Sequence, residues 1–158
     1  YFWVYKVAGY RLKVVRANLA NSFPEKSKEE LRVIEKEFYH HFCDYFVETI
    51  KLLHISDDDM RRRMKFENVE LVKDLMKDGN SGLMFLGHYC NWEWVPSLNL
   101  HFIEDGNIAL AQIYKPLKNK AFDDLFLKIR SRFGSFGIPK YDTLRTIVKL
   151  RKDKQQTL

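Results

Sequence analysis

Ser81-Gly82-Leu83-Met84-Phe85-Leu86-Gly87-His88-Tyr89-Cys90-Asn91-Trp92-Glu93-Trp94 is the stretch on which the fold turns. A turn signal, Asp78-Gly79-Asn80, precedes it, and the apolar run Leu83 to Leu86 ends in Gly87-His88. A short apolar run bounded by Gly and turn residues predicts a buried strand over 82–87. A histidine at the carboxyl end of such a strand stands where open α/β sheets place their ligands. Four residues separate His88 from Glu93, which falls in the first turn of the next predicted helix, about Asn91 to Phe102. Across a strand-to-helix turn this spacing can lay the carboxylate on the imidazole. A carboxylate on one ring nitrogen fixes the tautomer and raises the basicity of the other, which makes a general base.

Spacing alone is a weak signal in a chain with 5 histidines and 21 acidic residues among 158. A second such pair, His54 and Asp59, lies between two helical patterns. There Ser56 followed by Asp59 reads as a helix start with acid in the first turn, which gives that pair a structural role. His88 differs in context, with a strand before it, a glycine beside it and a helix behind it. The plain alternative is a histidine satisfied within the core.

Outward from this stretch, strands alternate with helices. Ser27 with Glu30 forms a capping box, and Leu31, Ile34, Phe38, Phe42, Tyr45, Phe46 and Ile50 recur at three or four residues, predicting a long amphipathic helix over about 28–53. His40, Cys43 and Asp44 share one side of it at ligand-like spacing, but no second cluster joins them, so packing or surface polarity is the better reading and no metal is expected. A short helix over about 57–64 carries Arg61-Arg62-Arg63, Lys65 to Asn68 reads as a short strand, and Glu70 to Lys77 as a helix ended by Gly79. Asn107 to Tyr114 is the next strand, Ala121 to Phe133 a helix, residues 136–138 a short strand, and Thr143 to Lys152 a basic helix. This alternation argues for an α/β fold with a largely parallel sheet. No internal repeat or low-complexity segment interrupts it.

Composition sets the class. A hydrophobic share of 46% with 12 Phe and 8 Tyr describes a globular chain able to bury a core. Cys43 and Cys90 have no framework spacing and read as reduced thiols in a cytosolic setting. The net charge of +6 is uneven. Residues 1–24 carry Lys6, Arg11, Lys13 and Arg16 and no acid, and residues 115–158 carry twelve basic and four acidic residues. Basic ends around an acidic middle imply an anionic partner: a phospholipid surface, a phosphorylated substrate, an acidic carrier protein or a nucleic acid. No run reaches the 18 or more apolar residues of a bilayer span, yet Tyr1 to Tyr10 followed by Arg11, Lys13 and Arg16 has the aromatic-then-basic order of a cytoplasmic membrane interface.

Gly87-His88-Tyr89-Cys90-Asn91-Trp92-Glu93 resembles the His-x4-Asp/Glu motif of glycerolipid acyltransferases, in particular the bacterial lipid A biosynthesis acyltransferases that add late lauroyl or myristoyl chains. Further elements follow in order. Arg16-Ala17-Asn18-Leu19 with Phe23-Pro24-Glu25 is similar to that subfamily's segment after its membrane anchor. Tyr114-Lys115-Pro116-Leu117 with Asn119 resembles its tyrosine-arginine-proline motif, Arg130-Ser131-Arg132 its paired-arginine element, and Leu144-Arg145 with Ile147 and Leu150 the helix beyond. Lys115 stands where an arginine is usual, so the charge is kept and the bidentate fork is lost. The family's downstream aspartate-containing element has no counterpart before Leu158.

The resemblance implies a glycerolipid-acyltransferase-like α/β fold, with a largely parallel central sheet flanked by helices and an N-terminal helical segment. Residues 1–158 would be a single acyltransferase domain and a fragment of a longer protein: a membrane-proximal basic segment over 1–24, a helical part over 25–80, and a catalytic α/β core over 81–158 lacking its C-terminal strands. It implies transfer of a fatty acyl chain from an acyl carrier protein thioester to a hydroxyl of a lipid A precursor, a phosphorylated glycolipid, at the cytoplasmic face of the inner membrane. No cofactor, metal or nucleic acid is called for. His88 would be the general base and Glu93 its orienting carboxylate, with Arg130, Arg132, Lys115, Tyr114 and Asn91 binding substrate. Two rivals come from the residues themselves. Cys90 beside His88 admits a thiol hydrolase. The basic C-terminal part admits a non-catalytic module for an anionic membrane or nucleic acid, although no helix-turn-helix, RNA-recognition or zinc-finger signature supports the latter.

Overall fold

The computed structural model describes residues 1–103 and 108–158. Asn107, the expected first residue of a strand, lies outside the described residues. The chain divides into two compact units, Tyr1–Glu48 and Thr49–Leu158.

The first unit opens with one stretch of π-helix, Trp3–Val7, followed by α1, Leu12–Ser22. Pro24 forbids α-helical backbone before it, and α1 accordingly ends at Phe23, whose φ is −133°. The capping box then starts α2, Lys28–Lys51. The Glu30 N–H donates to Ser27 Oγ at 3.2 Å, and the Ser27 N–H donates to the Glu30 carboxylate at 2.8 Å. The apolar stripe predicted for α2 is buried in part, with Leu31, Ile34, Phe42 and Tyr45 half-buried, and the most buried positions lie beside it. Phe38 and Phe46 are exposed, while Glu35 and Tyr39 are buried. Polar partners explain this burial. The Tyr39 hydroxyl donates to the Tyr10 carbonyl at 2.6 Å, and Glu35 accepts from Tyr5 and Arg16. Rings fill the rest: Tyr5 lies on Tyr39, Phe42 meets both Tyr10 and Phe46, and Tyr1 stacks on His40.

The second unit begins as expected. Ser56 Oγ accepts the Asp59 N–H and starts α3, Asp57–Arg63, whose acids open and arginines close the helix in keeping with its dipole. Lys65 to Asn68 forms no strand. Next is α4, Val69–Met76, stopped where Gly79 turns left-handed at φ +83° and its N–H reaches the Met76 carbonyl at 3.1 Å. After an extended stretch comes a 3₁₀ helix, Trp92–His101. The sequence predicted an α-helix here. Pro96 has no N–H to give and crowds the preceding turn, and the Ser97 hydroxyl takes the Trp94 carbonyl at 2.7 Å.

The remaining elements are β1, Ile108–Ala109; β2, Ala111–Tyr114; α5, Lys120–Arg130; β3, Phe136–Pro139; α6, Thr143–Lys152; and β4, Gln156–Thr157. β1 pairs in parallel with β4, and β2 in parallel with β3, from Ala111 opposite Phe136 to Tyr114 opposite Pro139. Two bonds join the pairs: the Ala111 N–H donates to the Leu158 carbonyl at 2.8 Å, and the Phe136 N–H to the Leu110 carbonyl at 3.1 Å. The stretch from Ile108 to Tyr114 therefore runs between β4 and β3. The architecture is mixed α/β with a small parallel sheet.

The strand expected over 82–87 is not formed. Its first residue does touch the sheet, since the Gly82 N–H donates to the Thr157 carbonyl at 2.9 Å. Among the described residues, no backbone bond beyond that one joins this stretch to β4. Leu83, Met84, Phe85 and Leu86 are consequently exposed, Phe85 by 88%.

The 3₁₀ helix is what the second unit packs around. Pro96 through Leu100 are all buried. Leu100 joins Leu52, Ile55, Met60, Ile129 and Phe133 in one cluster, and Leu98 joins Phe102 and Leu110 in another. Each such side chain contributes about 1.5–3 kcal/mol on burial. Gly137 lets α5 lie close on the sheet, because a Cβ there would stand 2.7 Å from Leu127 Cδ2 and 3.1 Å from Tyr114.

Candidate functional site

The sequence places His88, Cys90, Asn91 and Glu93 within six residues, and the backbone separates their fates. Glu93 opens the 3₁₀ helix and is buried, with 3% of its surface exposed. His88 lies in the extended stretch before it and is exposed. Between them Cys90 adopts φ +48°, a left-handed conformation that costs a non-glycine residue about 1–2 kcal/mol. This turn carries the chain from the surface at His88 to the interior at Glu93. The imidazole meets Trp92 edge to face, with centroids 4.6 Å apart.

The carboxylate of Glu93 faces Arg130, at the last turn of α5. Arg130 Nε donates to Oε2 at 2.8 Å and Nη2 to Oε1 at 2.6 Å. This is a fork-on-fork pair, the strongest geometry open to these groups. The expected contact of Glu93 with His88 is replaced by this pair with Arg130. The physical reason is burial. A carboxylate this far from water needs a full countercharge, and a fixed guanidinium supplies it where an exposed imidazole does not.

The two arginines of the Arg130-Ser131-Arg132 element point to different partners. Arg132 Nη2 donates to the Ile55 carbonyl at 3.0 Å and Nη1 lies 3.3 Å from Asp57. It therefore ties the turn after α5 to the start of α3, rather than joining Arg130 at one opening as a shared phosphate clamp would. Lys115, just past β2, is exposed. Tyr114 is half-buried at the end of β2, and burial with nearby Asp123 raises the pKa of its phenol. Asn91 is half-buried just before the 3₁₀ helix.

Asn119 Oδ1 accepts the Ala121 and Phe122 N–H groups at 3.0 and 3.3 Å and so starts the helix that presents Arg130. Asp123 Oδ1 accepts the Leu117 N–H at 2.8 Å, pinning the loop that holds Lys115 to that same helix. Asp123 had no signal in the sequence beyond being an acid in a first helical turn. The Glu93–Arg130 pair spans 37 residues, beyond any spacing rule. The rival pair at His54 and Asp59 is structural: Asp59 lies in α3 and pairs with Arg62.

Among the described residues, no group of three or more His, Cys, Asp or Glu side chains could hold a metal ion. Nor is any helix of the described residues long and apolar enough to cross a membrane. Cys43 is half-buried and Cys90 exposed, and both thiols are free.

What this arrangement can do is limited and clear. It offers an accessible imidazole next to a buried charge pair, on the surface of an α/β unit. Over residues 2–156 the sequence matches the family described as bacterial lipid A biosynthesis acyltransferase. A comparison with curated proteins returns no match.

Proposed function

We propose, from the premise that the chain belongs to the bacterial lipid A biosynthesis acyltransferase family, that this acyltransferase uses His88 as the general base in moving a fatty acyl chain from an acyl carrier protein thioester to a hydroxyl of a lipid A precursor. The family itself carries the coarser statement, an acyl donor and a lipid A-type glycolipid acceptor. One observation carries the finer one: His88 stands exposed one turn from the buried, charge-paired Glu93.

A hydroxyl is a poor nucleophile at neutral pH. His88 takes its proton as the oxygen attacks the thioester carbonyl, and returns a proton to the departing thiolate. No acyl-enzyme is needed, so Cys90 has no covalent part. The Arg130 fork occupies two of the roughly four lone-pair sites of the Glu93 carboxylate. The others remain for an imidazole N–H once the turn at Cys90 brings His88 inward with bound substrate. Glu93 then steadies the imidazolium, and Arg130 acts as a positioning residue that keeps the carboxylate aimed. In this reading Lys115, Tyr114 and Asn91 line the approach of the phosphorylated acceptor, while Arg132 stays with Ile55 and Asp57.

The aromatic opening supports an address at the cytoplasmic face of the inner membrane. Phe2, Trp3, Val7 and Tyr10 are all exposed, and Arg11 and Lys13 follow them. Such rings settle in an interface while the cations meet anionic headgroups.

The test is acyl transfer by the full-length protein with acyl carrier protein donors. His88→Ala is expected to lower the rate at least about 10²-fold, with the loss in turnover rather than in substrate binding. Cys90→Ser is expected to keep activity. A folded His88→Ala protein that transfers acyl groups at the wild-type rate would remove the proposal.

A further inference from the structure

The first unit contains a cavity that acyl transfer does not use. Arg16, Leu19, Lys28, Leu31, Arg32 and Glu35 line a recess of about 230 Å³ between α1 and α2. Its one acid is already spent. Arg16 Nε donates to Glu35 Oε2 at 2.8 Å and Nη2 to Oε1 at 3.2 Å, and the Tyr5 hydroxyl donates to Oε1 at 2.7 Å. Arg16 thereby loses its freedom but not all its donors, since Nη1 and the second proton of Nη2 remain. Lys28 and Arg32 lie one turn apart on α2, both exposed, and no ion pair is described for either. The recess thus carries three cations against one carboxylate, with two leucines as its apolar floor.

We propose that this recess binds the phosphate of an anionic phospholipid headgroup, with Lys28 and Arg32 as its ligands and Arg16, braced by Glu35, as the third. A phosphate offers several acceptor oxygens to a guanidinium fork and an ammonium, the match for which these side chains are suited. The volume suits a headgroup, and Leu19 and Leu31 suit the glycerol and first methylenes behind it. The exposed rings of Phe2, Trp3 and Tyr10 belong to the same unit, which favours a lipid over a soluble phosphate as the source. The site would give the membrane contact a specific point of attachment rather than a diffuse charge.

The experiment uses the intact chain and sedimentation with phosphatidylcholine vesicles, with and without phosphatidylglycerol. A parallel titration uses inorganic phosphate alone. Lys28→Gln and Arg32→Gln leave the Arg16–Glu35 pair untouched and sit on an exposed surface, so folding should be kept and is verified by circular dichroism. Each is expected to weaken binding to the anionic vesicles at least about ten-fold, the loss of a direct charged hydrogen bond to the phosphate. Lys36→Gln, on α2 outside the recess, removes the same charge and is expected to change binding less than two-fold. Equal losses in all three variants would reduce the site to delocalised charge and overturn the proposal. So would unchanged vesicle binding in the Lys28 and Arg32 variants, which would leave the aromatic segment as sole anchor and the membrane reading intact. Saturable binding of inorganic phosphate in the recess without a preference for anionic vesicles would reassign the site to a soluble phosphate. None of these readouts depends on acyl transfer, so failure here and failure of the His88 mechanism are separate results.

Discussion

A carboxylate buried as deeply as that of Glu93 costs several kcal/mol unless a cation meets it with good geometry. Arg130 does so through two short bonds. The pair stabilises the fold less than it constrains it, because both charges have lost water, although Arg130 keeps a quarter of its side-chain surface exposed. Breaking it from one side is therefore the costly change. Arg130→Gln is expected to lower the unfolding free energy by about 3 kcal/mol, as it strands a buried charge. Adding Glu93→Gln should recover part of that loss, since two neutral amides can bond each other in the same place. Urea unfolding of the two singles and the double gives the coupling energy. Strictly additive losses would mean that the pair does not act as a unit. Neither residue announces this partnership in the sequence. Glu93 was legible as part of a local motif with His88, but a contact across 37 residues leaves no periodic trace.

At the scale of elements, legibility followed the range of the signals. α2 and α6 were readable because periodicity and caps are local, and Ser27-Glu30 and Ser56-Asp59 formed as their spacing requires. Even there, the apolar pattern missed the most buried positions of α2, because a tyrosine and a glutamate whose polar atoms find partners bury more readily than their hydropathy suggests. The run Leu83 to Leu86 was read as a strand from its composition. A strand also needs a paired neighbour, and among the described residues only the Gly82 N–H of this stretch bonds to the backbone of β4. Conversely, Pro96 was in plain sight inside 92–101, and its ring crowds the carbonyl four residues back that an α-helix would place there. The cap of α5 belongs to the legible class and can be tested. Asn119→Ala removes the acceptor of two N–H groups and is expected to cost about 1 kcal/mol. Asn119→Ser, which keeps an oxygen at the cap, should lose only a fraction of that. Equal stability of all three proteins in urea would show that the cap contributes nothing. Because α5 ends in Arg130, the alanine variant should also loosen the grip on Glu93, read as faster amide exchange through the last turn of the helix.

For the molecule as a whole, acid should weaken the two units in different pH ranges, because each holds a differently shifted group. In Tyr1–Glu48, the hydrogen bond from Arg16 foremost holds the Glu35 carboxyl below its ordinary pKa. A depressed carboxyl stabilises above the unfolded value of about 4.3 and loses that contribution as pH falls from there through the folded value. In Thr49–Leu158, burial foremost, with Arg61 and Lys73 adding repulsion, lowers the pKa of His101, whose ring meets Phe66 edge to face. Here the unfolded chain takes up a proton near pH 6.5 while the folded chain still refuses it. Stability of this unit therefore falls as pH drops from about 6.5 toward the folded pKa, and is level above that range. Residue-resolved hydrogen exchange at pH 7, 5.5 and 4 separates the two effects, once corrected for the intrinsic pH dependence of exchange. Between pH 7 and 5.5, protection should decline around the 3₁₀ helix, at Leu100 and Phe102, and hold steady at Tyr39 in α2. Below about pH 4.3 the α2 protection should follow. His101→Phe keeps an aromatic ring against Phe66 and removes the titration, so it should flatten the first decline without touching the second. If the substituted protein loses protection at Leu100 over the same interval as the wild type, His101 is not the group that senses the acid, and the repulsion from Arg61 and Lys73 has been given too much weight.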